Sequence, residues 1–161
     1  NDIELDHGLP LQNVLSTMLL LAWTKDSTRE LWDSCGSPHW TQYVVDNARA
    51  GFGQPPGALD CDDFAVWAAH VIEQTYDPLL LCFQWVNTVG EIRGHAMCLC
   101  LTPEGNLFHI GNWGKSQEEE TLHALCAAIL SRVQAREALG WCVLGKDLTW
   151  INGGAGMPTG V

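Results

Sequence analysis

Apolar residues in the first half of the chain recur at helical spacing. Leu11, Val14, Leu15, Met18, Leu19 and Ala22 form one stripe beyond Pro10. A short helix is predicted at 28–33 and a longer one at 39–50, burying Tyr43, Val44 and Ala48 and stopping at Gly51. The Gly- and Pro-rich stretch 51–57 breaks regular structure. Asp60 then reads as the N-cap of a helix from Cys61 to about Tyr76, with Phe64, Ala65, Ala68, Val71 and Ile72 as its buried stripe. After Asp77-Pro78 the pattern changes to strands, at 79–87, 95–101 and 107–111. Helical spacing returns with Leu122, Leu125, Cys126, Ile129, Leu130 and Val133, behind three glutamates that suit a helix N-terminus. Short strands near 141–144 and 148–151 complete the pattern. Helices first and then an antiparallel sheet make an α+β domain, with the N-terminal helices packed on the sheet.

The 161 residues, 47% of them hydrophobic, fit one domain over 1–152 that can bury a core without staples. Residues 153–161, rich in glycine, read as a flexible tail or a linker to other domains of a larger chain. The net charge of −11, with only 8 Lys and Arg, argues against nucleic acid and anionic membrane surfaces as partners. The apolar stretch 15–23 is interrupted by Ser16 and Thr17 and is too short for membrane insertion. It also lacks signal-peptide flanks, although a chain that opens on Asn1 proves little about a leader. Seven cysteines without a Cys-x-x-Cys pair argue against a disulfide framework and against structural zinc. Most sit in apolar runs, as small buried hydrophobes do.

The chemistry concentrates at 58–69. Cys61 falls in the first turn of a helix, where unpaired N–H groups and the helix dipole favour a thiolate. Asp60, Asp62 and Asp63 repel that thiolate, so a catalytic Cys61 needs a nearby cation or imidazolium. The plainer alternatives are a packed cysteine and three helix-capping carboxylates.

The histidine comes from the hairpin 94–114, which turns at Thr102-Pro-Glu-Gly105. With Thr102 facing Gly105, Leu99 faces Phe108, Met97 faces Ile110 and His95 faces Asn112, all on one side. A three-residue loop with a Gly bulge slips this register by one and sends Asn112 to the other side. The first register gives the better apolar face and is preferred. His95 and Asn112 then form an imidazole–amide pair, and Cys61, His95 and Asn112 supply a nucleophile, a base and an orienter. His7, His39, His70, His109 and His123 read as ordinary, with His109 directed away from His95.

A cysteine at a helix start, a histidine opening a strand and Asp or Asn ending the next strand resemble the papain-like and transglutaminase-like proteins. Asp60-Cys61-Asp62-Asp63-Phe64-Ala65 followed by Gly94-His95-Ala96 is most similar to the bacterial transglutaminase-like cysteine peptidases. The resemblance covers about residues 40–114. It implies a papain-like core and a cysteine hydrolase, a peptidase or amidase, that cleaves an amide of a protein or peptide substrate through a thioester acyl-enzyme. Cys61 is then the nucleophile, His95 the acid/base and Asn112 the orienter, where the closest family mostly carries Asp. The same resemblance implies Trp113 shielding the His–Asn bond, Gln54 or Trp40 beside the oxyanion, and calcium on Asp60 and Asp62. Acyl transfer to an amine, as in transglutaminases, would use the same residues. A non-catalytic binding or assembly module of a larger protein is the alternative of a different class. The compartment stays open between cytoplasm, virion and periplasm.

Overall fold

The computed structural model describes residues 3–21, 37–52 and 59–159. Four helices and six strands follow in the order α1 (Leu11–Met18), α2 (Pro38–Arg49), α3 (Cys61–Val71), β1 (Leu79–Val86), β2 (Ile92–Leu101), β3 (Leu107–Gly111), β4 (Gly114–Lys115), α4 (Leu122–Val133), β5 (Glu137–Leu144) and β6 (Trp150–Ala155). The strands form one sheet in the order β4-β3-β2-β1-β5-β6, with every neighbouring pair antiparallel. The α+β expectation holds, with one addition: both faces of the sheet are covered.

Phe64, Ala65, Ala68 and Val71 of α3 pack on Leu80, Cys82, Ala96, Cys98, Phe108 and Ile110. On the opposite face, Leu122, Leu125, Cys126 and Ile129 of α4 pack on Leu81, Phe83, Trp85, Met97 and Leu99. β2 is therefore buried on both sides from His95 to Cys100. That explains its continuous apolar run where a half-exposed strand would alternate. Among the described residues no helix is long and apolar enough to cross a membrane.

Several boundaries differ from expectation: β2 begins at Ile92 and β5 at Glu137, three and four residues earlier than expected. α1 ends at Met18, and Leu19 and Leu20 are exposed in the turn beyond it. α3 ends at Val71, because the backbone there pairs with the N-terminal segment: Leu9 N–H donates to Val71 O at 2.8 Å and Glu73 N–H to Leu9 O at 3.0 Å. Residues 153–155, expected in a loose tail, belong to β6. Glycine there is a packing requirement, since a Cβ on Gly153 would lie 2.4 Å from the Trp150 ring and 2.8 Å from Trp141 O. The chain beyond is tied down as well: Gly156 N–H donates to Leu139 O at 2.9 Å, and His123 Nδ1–H donates to Pro158 O at 2.8 Å. The short helix expected at 28–33 and Cys35 lie outside the described residues.

One buried polar contact ties the N-terminal layer together. Gln42 of α2 is wholly buried, and its Oε1 accepts from Trp67 Nε1–H of α3 at 2.7 Å and from Asp6 N–H at 2.9 Å. Gln42→Leu leaves both donors without that acceptor, at a cost of about 2 kcal/mol. A lowered midpoint in urea unfolding with unchanged slope is the expected reading.

Candidate functional site

The start of α3 is built as the sequence suggests. Asp60 is its N-cap: Asp63 N–H donates to Asp60 Oδ1 at 3.3 Å and Asp60 N–H to Asp63 Oδ2 at 3.1 Å, a reciprocal capping box. Cys61 occupies the first helical position and is buried on the sheet face that carries Cys82, Ala96 and Cys98. Asp62 is fully buried; its Oδ1 accepts from Asp63 N–H at 2.9 Å, while Oδ2 has no hydrogen-bond partner. One oxygen from each of Asp60, Asp62 and Asp63 lies within 4.8 Å of the others. Asp60 and Asp62 could thus offer oxygens to a cation. Three carboxylates fall short of the about six to eight oxygens calcium takes, and capping accounts for two of them.

The hairpin adopts the slipped register. Thr102 faces Asn106: Thr102 N–H donates to Asn106 O at 2.8 Å, and Asn106 N–H donates to Thr102 Oγ1 at 3.0 Å. Gly105 supplies the left-handed residue of the loop at φ +88°. Leu99 therefore pairs with His109 and Cys100 with Phe108, not Leu99 with Phe108. His109 consequently shares a face with Leu99, the α4 face, contrary to the sequence expectation.

The slip reaches the proposed triad at Asn112, while His95 is placed by its pairing with β1. His95 pairs with Phe83 of β1, which belongs to the α4-side core, whereas its neighbour Ala96 belongs to the α3-side core with Cys61. Cys61 and His95 therefore lie on opposite faces of the sheet. Nor do His95 and Asn112 join: His95 Nε2 and Asn112 Oδ1 are both buried without a hydrogen-bond partner. Instead Trp113 stacks on His95, with centroids 3.8 Å apart and planes 12° from parallel. Trp113 covers the His95 ring, but the His95–Asn112 bond it was expected to shield is not formed. Trp40 stands in the first turn of α2 and stacks on Tyr43 at 5.6 Å. Gln54 lies outside the described residues.

What the α4 face does assemble is a cluster that the preferred register concealed. The Arg132 guanidinium sits 4.7 Å from the Trp113 ring centroid, and His109 meets the same ring edge-on at 6.4 Å. His109, Trp113, Ser116, Glu119, Ile129 and Arg132 line a cavity of about 270 Å³ between the β3–β4 region and α4. His109 is buried and its Nδ1 has no hydrogen-bond partner. Two signals in the sequence could have revealed this site: the Gly-bulge register, which aims His109 at α4, and Arg132, one helical turn beyond Ile129.

Burial holds His95 at about 3, helped by His109 and Arg132, and holds His109 at about 4, helped by Arg132. Both imidazoles are neutral in the folded chain at neutral pH. Between these values and the ordinary 6.5 the unfolded chain binds more protons. Their contribution to stability is therefore complete above 6.5 and declines as pH falls toward 4 and 3. The expected slope is about 1.4 kcal/mol per pH unit for each histidine in that window. Urea titrations between neutrality and acid should show it, and His95→Gln with His109→Gln should flatten it.

Comparison with known proteins returns nothing: no family model, curated protein or solved structure matches this chain.

Proposed function

We propose that this chain is a binding module that takes a small carboxylate in the cavity between β3, β4 and α4, and is not a working cysteine hydrolase. The observation that carries this reading is the separation of Cys61 from His95 by the thickness of the sheet. A thiol hydrolase needs its imidazole within hydrogen-bond reach of the sulfur or of the leaving group. His95 is stacked against Trp113 on the other face instead.

The ligand class follows from the lining. Arg132 is in no ion pair among the described residues, and its guanidinium is placed by Trp113. A carboxylate pairs with such a planar donor in bidentate fashion. His109 Nδ1, buried without a partner, supplies a second donor in its Nδ1–H tautomer, and Ile129 with the Trp113 ring offers apolar contact. The volume suits a small molecule such as an aromatic carboxylate. Glu119 in the lining selects against ligands carrying further negative charge.

The cysteine hydrolase remains the second reading on one observation, the placement of Cys61 in the first turn of α3. Two measurements separate the readings. Alkylation of Cys61 by iodoacetamide should change by no more than about twofold in His95→Ala; a drop of about a hundredfold would restore the hydrolase. Benzoate titrated into histidine-labelled protein should shift the His109 ring resonances, and Arg132→Gln should abolish the shift. Unshifted His109 resonances in the wild type would remove the binding reading.

A further inference from the structure

Cys82 of β1 and Cys142 of β5 are directly opposed partners in the antiparallel ladder. Opposed residues share a face and have Cα atoms about 4.5 or 5.5 Å apart, depending on their hydrogen-bonding class. Both values lie inside the roughly 4.4–6.8 Å window of disulfides. The two cysteines also line one cavity of about 290 Å³ with Gln84, Trp141, Trp150 and Gly153, which gives a small reagent a route to them. Cys142 is only half-buried, whereas Cys82 is covered. Both are reduced thiols in this structure.

The geometry points to a modification site: Cys82 and Cys142 form a dithiol that a peroxide converts to a cross-strand disulfide. The Cys142 thiolate attacks one peroxide oxygen; an S–O bond forms, the O–O bond breaks, and hydroxide leaves as water after taking a proton. The Cys82 thiolate then attacks the Cys142 sulfur; the S–S bond forms, the S–O bond breaks, and a second water leaves. Two thiols are oxidised and one peroxide is reduced to two waters, so the balance is complete.

The other described thiols lack this combination. Cys98 and Cys100 have sulfurs 3.9 Å apart, but both are fully buried and stand two residues apart on one strand. Cys126 of α4 is buried against the sheet, with its thiol pushed up to about 12 by desolvation. Cys61 lies in α3, outside the ladder, and is buried in the α3-side core. The site stands on the β1–β5 register and the cavity beside it, and is independent of the ligand reading above.

The test is a peptide map of the full chain after equimolar hydrogen peroxide, with remaining thiols alkylated under denaturing conditions. Digestion at glutamates separates Cys61 from Cys82 at Glu73. The expected result is a Cys82–Cys142 linked peptide pair that dithiothreitol dissolves, with both residues losing alkylation in equal proportion. In Cys82→Ser, Cys142 should stop at the sulfenic acid and be trapped by dimedone. Sulfinic acid at Cys142 of the wild type with Cys82 still alkylated would overturn the proposal. A link from either residue to a third cysteine would overturn it too. The wild-type map decides the matter even if the variant fails to fold.

Discussion

The turn between β2 and β3 sets what each face of this molecule presents. Thr102 closes the loop on Asn106 with a backbone pair and a side-chain hydrogen bond, and Gly105 absorbs the extra residue at positive φ. With side chains alternating along a strand, one residue of slip exchanges the two faces of β3. His109 is thereby turned toward α4, and Phe108 and Ile110 are turned toward α3. An alanine at Gly105 would be strained at that φ, so the glycine and the register go together.

From that register the site chemistry follows. Trp113 leaves the end of β3 against the His95 ring, and Arg132 reaches the same indole from α4. Two buried neutral imidazoles meet a half-buried indole, on which an exposed guanidinium rests. On the other face Cys61 heads α3 within a buried apolar core that also holds Cys82 and Cys98. The motif that resembles a catalytic triad in one dimension is divided by the sheet in three.

The helices were largely legible. α4 coincides with its apolar stripe, α2 ends before Gly51, and α3 starts on its Asp60 cap, as the sequence marks them. Even so, the N-cap of α4 is Thr121, whose hydroxyl accepts from Ala124 N–H at 3.0 Å, and the preceding glutamates lie upstream of it. The register was not legible, and β2 shows why. A strand buried on both faces looks equally apolar in either register, so choosing the better apolar face carried no information. The C-terminal part of β6 was missed for a related reason: Gly153 makes room for the Trp150 ring, a tertiary demand that reads locally as a linker.

The central claim is that Cys61 and His95 occupy opposite faces of one sheet. The most direct test is a nuclear Overhauser spectrum of the full chain with His95 ring protons assigned. Cross-peaks from His95 to the Trp113 indole, and none to the Cys61 β protons, are what this account predicts. Cross-peaks between the His95 ring and the Cys61 β protons would contradict it and put the nucleophile and base together.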